Sequence, residues 1–141
     1  MRVELSDDAR QLVALFEDEA AVTVRDCVID ETHDQVVYLV KRGEMADAIG
    51  PGGETVANVE ERLGRPVKLV EDADTPEDFV ANALAPAAVY NVTVSENGDT
   101  IAYVEVAQED RGAAIGRDGR NIDAARRLAK RHYDIDGIEL T

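Results

Sequence analysis

The sequence predicts an α+β protein built from two tandem units. Each unit is ordered α-β-β-α-α-β, with a three-stranded sheet packed on helices. Three observations predict this. Ile49-Gly50-Pro51-Gly52-Gly53-Glu54-Thr55-Val56 and Ile115-Gly116-Arg117-Asp118-Gly119-Arg120-Asn121-Ile122 share the form Ile-Gly-x-x-Gly-x-x-apolar, sixty-six positions apart. Ahead of each copy the hydrophobic period changes from helical to strand-like in the same order. The 141 residues then divide into units of about seventy residues, 1–72 and 73–141, each small enough to have a marginal core.

In the first unit Ser6 is a helix cap, and Asp7 and Asp8 suit the positive end of the helix that follows. Ala9, Leu12, Val13, Phe16 and Ala20 recur at helical spacing. Ala21–Ile29 is rich in Val and Ile and predicts a strand, Asp30–Asp34 a polar turn, and Val36–Val40 a continuous apolar, buried strand. Glu44–Ile49 predicts a short helix leading into the first glycine loop. Val56, Val59 and Leu63 mark one face of the next helix, which Gly64 stops. Val67–Val70 is the last strand.

The second unit repeats the plan. Thr75 and Pro76 start a helix with Glu77 and Asp78 in its first turn. Phe79, Val80, Ala83 and Leu84 form its apolar side, and Pro86 ends it. Val89–Val94 and Ile101–Val106 are strands joined at Glu96-Asn97-Gly98-Asp99, which carries the Asn-Gly signal of a tight hairpin. Gln108–Ile115 predicts a short helix, and Gly119–Tyr133 a longer one with Ile122, Ala125, Leu128, Ala129 and Tyr133 inward. Gly137 turns the chain into a final strand, Ile138–Leu140.

Thirty acids against fifteen bases give a net charge of −15, and only three of the bases are Lys. An acidic, lysine-poor surface predicts a protein of a salt-rich cytoplasm that loses stability when its charges are unscreened. No apolar run reaches the roughly 20 residues of a membrane-spanning helix, and Met1–Arg10 lacks the apolar core of a signal peptide. Cys27 is the single cysteine, which excludes an intrachain disulfide and a cysteine zinc cluster. These features fit a cytoplasmic protein with no metal and no membrane partner; a monomer without a cofactor is the expectation.

Against this acidic background, residues 111–133 hold Arg111, Arg117, Arg120, Arg126, Arg127, Lys130 and Arg131 against Asp118 and Asp123, a net of +5. A basic island on an acidic chain is the electrostatic footprint of a nucleic-acid contact. It surrounds the second glycine loop. In such a loop glycines let the backbone approach a phosphate without Cβ obstruction, and the following helix presents unpaired N–H groups at its positive end.

A Gly-x-x-Gly between two helices, preceded by Ile and followed by an apolar residue, resembles the KH (K-homology) domain, whose loop clamps the backbone of unpaired nucleotides. The helix ahead of the two strands and the third strand at the end resemble the type II arrangement. Two such domains filling a short acidic chain are similar to the archaeal NusA-like family of transcription termination/antitermination factors. The resemblance covers residues 1–141. It implies binding of single-stranded RNA during transcription elongation and termination, with RNA polymerase as a partner and no enzymatic activity. It assigns Gly50, Pro51, Gly52 and Gly53 to one clamp and Gly116, Arg117, Asp118 and Gly119 to the other. Arg120, Arg111, Arg127, Lys130 and Arg131 join the second from the basic island. Pro51 has no N–H to donate and residues 44–65 carry a net of −3, so the second loop is expected to carry most of the affinity.

Two alternatives stand beside this reading. One is a KH-type RNA-binding protein of ribosome assembly or RNA processing; the other is a protein-interaction module that binds no nucleic acid. Co-purification with RNA polymerase rather than ribosomal particles separates the first from the transcription reading, and the basic island argues against the second. Other motifs lead elsewhere less well. Gly50-Pro51-Gly52-Gly53 follows a helix and lacks the G-x-G-x-x-G of a dinucleotide loop. His33 and His132 have no partners at metal spacing, Cys27 reads as a small core residue, and Glu60-Glu61 as a solvated face. Tyr38 and Tyr103 lie on corresponding strands; stacking on bases is open to both, and core packing is the expected role.

Overall fold

The computed structural model describes residues 3–141, which separate at Asp72 into two units with the same order of elements. The part of the N-terminal reading that concerns Met1 and Arg2 lies outside the described residues.

In the first unit the Ser6 hydroxyl accepts the Ala9 N–H at 3.1 Å and opens α1, Asp7–Glu19. Two strands follow, β1 (Val24–Asp30) and β2 (Gln35–Val40). Then come α2 (Met45–Ile49), a 3₁₀ turn at Pro51–Gly53, α3 (Glu54–Leu63) and β3 (Val67–Glu71). β1 and β2 are antiparallel, while β3 returns parallel to β2 after the helical crossover, giving the order β1-β2-β3. Strand alternation sends Val36, Tyr38 and Val40 to the helix side, into a cluster with Phe16, Ala48 and Val59. Phe16 and Tyr38 are fully buried with ring centroids 4.7 Å apart, and burying a side chain of this size contributes roughly 2–3 kcal/mol. The Tyr38 hydroxyl is satisfied by donating to the Leu12 carbonyl at 2.8 Å. Every residue of β2 is buried.

The second unit contains α4 (Pro76–Ala83), β4 (Val89–Asn97), β5 (Asp99–Val106), a 3₁₀ turn at Gln108–Asp110, α5 (Arg111–Ile115), a 3₁₀ turn at Arg117–Gly119, α6 (Arg120–Tyr133) and β6 (Gly137–Leu140). Its sheet order is β4-β5-β6, again antiparallel and then parallel. Thr75 caps α4 by accepting the Asp78 N–H, and α4 packs on α6 and β4. Phe79 stacks edge-on against Tyr133 at 5.1 Å, and the Tyr133 hydroxyl donates to Ala73 O at 2.7 Å.

Three details depart from the sequence reading. The helix expected over 108–115 is interrupted, with a 3₁₀ turn ahead of α5. The tight hairpin is present as expected, but both of its strands run further into it: Asn97 pairs with Asp99, and Gly98 stands between them at φ +86°. A type I′ turn needs positive φ at both central residues, and Asn97 does not adopt it. Finally, Tyr38 is a core residue but Tyr103 is not, being 39% exposed. Val40 and Val106 end corresponding strands, so Tyr38 corresponds to Val104, and Tyr103 falls one residue out of phase, on the opposite face.

Candidate nucleic-acid interface

Each glycine loop begins where a five-residue helix runs out. Gly50 and Gly116 cap α2 and α5, and their N–H groups bond Ala46 O and Gly112 O. Both adopt φ 78°, ψ 171°, a region open essentially to glycine alone. A Cβ at Gly50 would run into Thr55, and one at Gly116 would lie 2.8 Å from the Asn121 Cβ. The chain therefore turns back against the first turn of the next helix at a distance only glycine permits. The third loop position is left-handed in both copies, Gly52 at φ 61° and Asp118 at φ 55°, and a short polar side chain tolerates that conformation best after glycine. Gly53 and Gly119 are the N-caps of α3 and α6, and neither helix receives a side-chain cap. Carbonyls of the loop itself accept the N–H groups of Gly53 and Glu54 in one copy and of Gly119 and Arg120 in the other, and no side chain caps either helix, so each loop places the positive end of a helix beside it.

The side chains differ. Arg117 and Asp118 are exposed at the second loop, with Arg120 exposed one residue beyond it. Along α6 the bases sort into two stripes. Arg120, Arg127 and Arg131 recur at helical spacing on one face, flanking the small buried Ala124. The adjacent stripe is closed by acids. Arg126 lies 3.5 Å from Asp123 and donates to Ile138 O at 3.0 Å, while the Lys130 ammonium sits 2.8 Å from both Asp134 and Asp136. Those hydrogen bonds raise the Lys130 pKa above its ordinary value. Lys130 in turn holds the Asp136 carboxyl below its own, with help from the Thr100 N–H. Arg111 donates to the carbonyl of Thr141 at 3.2 Å, and Arg131 is half-buried. Among the described residues no ion pair engages Arg117 or Arg127.

At the first loop Pro51 replaces the arginine and Gly52 the aspartate, and Glu54 follows in the first turn of α3. Arg62 is drawn away to Glu19 at 2.8 Å and Asp18 at 3.5 Å. Lys68 is half-buried on β3, and burial lowers its pKa to about 8. Ile49 and Ile115, one residue ahead of each loop, keep 40% and 41% of their surface exposed.

One contributor escaped the sequence reading. The Asn121 side-chain amide donates to Leu84 O at 3.2 Å and Ala114 O at 3.1 Å, tying the end of α4 to the end of α5. Its Cβ is also the wall against which Gly116 turns. The available signal was its place two residues after the loop's last glycine, where the first unit has Thr55. Cys27 is buried. Among the described residues no group of three or more His, Cys, Asp or Glu is placed to hold a metal ion, and no helix is long and apolar enough to cross a membrane.

Residues 10–75 match the KH domain family, and residues 76–141 match the NusA-like second KH domain. Over its full 141 residues the chain is 62% identical to the full length of a protein from Halobacterium salinarum named "Probable transcription termination protein NusA". It belongs to the NusA family of tandem KH-domain proteins. A family member of the same name from Methanocaldococcus jannaschii is 33% identical over 99% of this chain and 75% of its own length. The "Transcription termination/antitermination protein NusA" of Mycobacterium tuberculosis is 40% identical over 63% of this chain and 26% of its own. The crystal structure of APE1850 superimposes with a TM-score of 0.84 at 26% identity, covering 97% of this chain and all of that one. The NusA pattern thus spans both units, and its full-length match comes from a halophilic archaeon, in line with the acidic, lysine-poor composition.

Proposed function

We propose that this NusA-family protein is an RNA-binding transcription elongation and termination factor whose second glycine loop grips the backbone of single-stranded RNA. The observation that supports it is the contrast between two loops of one backbone conformation, only the second of which carries an exposed arginine, Arg117, that no ion pair engages among the described residues. In this reading a phosphate sits against the loop Gly116–Gly119 at the positive end of α6, Arg117 and Arg120 close on its oxygens, and Arg127 continues the path along α6. Ile115 lines the groove for a base. Arg111, Lys130 and Arg131, each held in the fold, add positive field rather than direct contacts. The first loop, Gly50 to Gly53, guides the strand without gripping it. At about 1 M salt the Debye length is about 3 Å, so affinity rests on close contacts and an acidic protein remains an RNA binder. RNA polymerase is the protein partner in the same reading.

The test is binding of an unstructured, uridine-rich RNA at about 2 M KCl by the wild type and by Arg117→Asp. The expected result is at least a tenfold loss with the fold intact, equivalent to about 1.4 kcal/mol. Equal binding by both removes the second loop as the clamp. If neither binds, the protein is an interaction module.

A further inference from the structure

The second unit segregates its charge. All seven of its bases lie between Arg111 and Arg131, whereas residues 73–110 carry eight acids and no base. That base-free stretch contains α4 and the whole β4–β5 hairpin. β4 is an edge strand nine residues long. Edge strands are commonly blunted by Lys, by Pro or by bulges; β4 contains neither residue, and its register shift lies only at its start, between Val89 and Asn91. An open groove of about 380 Å³ lies where β4 meets α4. It is lined by Glu77 and Asp78 from the first turn of α4, by Tyr90 and Asn91 from β4, and by the apolar Ala81 and Val92. Tyr90 is 66% exposed, well above Tyr103 at 39%. Among the described residues neither the Glu77 nor the Asp78 carboxylate is in an ion pair.

We propose that this groove and the β4 edge bind an extended cationic segment of a protein partner. The segment's backbone adds a strand to β4, the mode by which open sheet edges take up peptides. Its Lys or Arg side chains lie between the two carboxylates and the face of Tyr90, where a cation is attracted by the ring. The sign of the charge chooses the occupant: phosphates are repelled by an unbroken anionic stretch, and a basic segment is complementary to it. None of the residues lining the groove belongs to the basic loop region, and in this proposal one unit holds RNA and a protein together.

The test uses the full chain, isotopically labelled, titrated with the decapeptide (Lys-Thr)5 at about 0.3 M and about 2 M KCl. A (Lys-Pro)5 peptide of equal charge, unable to pair as a strand, serves as control. Amide shifts confined to β4 and the first turn of α4 are expected, with (Lys-Pro)5 at least fivefold weaker at both salts. The double variant Glu77→Gln/Asp78→Asn is expected to lose at least fivefold, and Tyr90→Ser at least threefold; all three positions are on the groove rather than in the core, so the fold persists. Equal binding of the two peptides, or shifts spread over the acidic surface of both units, overturns the proposal. So does displacement of the peptide by a uridine-rich RNA from the same residues, or self-association of the free chain through them.

Discussion

The two glycine loops share a backbone and differ in almost everything attached to it. Gly50 and Gly116 have the same dihedral angles, and the left-handed residues that follow agree within a few degrees. At each first glycine a Cβ would collide with the residue five positions on, Thr55 in one unit and Asn121 in the other. Yet the first loop presents proline and glycine beside acids, and the second presents arginine and aspartate at the start of a basic helix. Loop geometry is therefore preserved by local sterics, which ask only for glycines in the right places. What the geometry is used for is decided by side chains that the sterics leave free. A repeated unit can keep its architecture while one copy gives up its charge.

That comparison can be broken most sharply at the glycines. Gly116→Val and Gly50→Val should each destabilise the protein by about 3 kcal/mol, measured by denaturant unfolding. At a concentration where both stay folded, only Gly116→Val should abolish RNA binding; equal losses of RNA affinity would mean that both loops grip.

Lys68 offers a test within the first unit. Its pKa is lowered to about 8, so between about 8 and its unfolded value near 10.4 the unfolded chain binds more protons, and stability rises with pH through that window. Lys68→Met should therefore stabilise the protein at pH 7, by about 2 kcal/mol. Most of that gain should vanish by pH 10, and a pH-independent gain would show that side-chain packing, not charge, was the cause.

Asn121→Ala should cost about 1–2 kcal/mol through two lost hydrogen bonds and weaken RNA binding several-fold. The corresponding Thr55→Ala should leave RNA affinity nearly unchanged. Smallest is the contrast along α6. Arg127→Gln should reduce RNA affinity about threefold, and Lys130→Gln less than twofold, because Asp134 and Asp136 already hold that ammonium. Titration of both variants by fluorescence anisotropy reads the difference, and a larger loss at Lys130 would mean that its ion pairs open for RNA.

Much of the architecture was legible because it rests on short-range chemistry. Ser6 and Thr75 cap helices with their own hydroxyls, Gly64 ends α3 in a left-handed turn, and the apolar run Val36–Val40 is a buried strand. The misreadings have an equally definite origin. Tyr103 was placed by its strand rather than by its phase within the strand, and one residue of register carries a side chain to the other face. The Asn-Gly pair marks the hairpin correctly, but strand pairing runs up to Asn97 and Asp99, past the ends of the apolar runs that set the expected strand bounds.

By itself the sequence determined the two repeated units, the placement of the glycines and the concentration of positive charge around the second loop, because propensity, period and composition are properties of neighbouring residues. The tertiary structure decided which of those charges remain available. Lys130 meets Asp136 and Arg126 meets the Ile138 carbonyl only because β6 folds back beside α6. Asn121 joins the ends of two helices, one of them thirty-seven residues away in sequence. Pairing between distant groups depends on angstrom-scale placement by the whole fold, and no pattern along the chain encodes that distance.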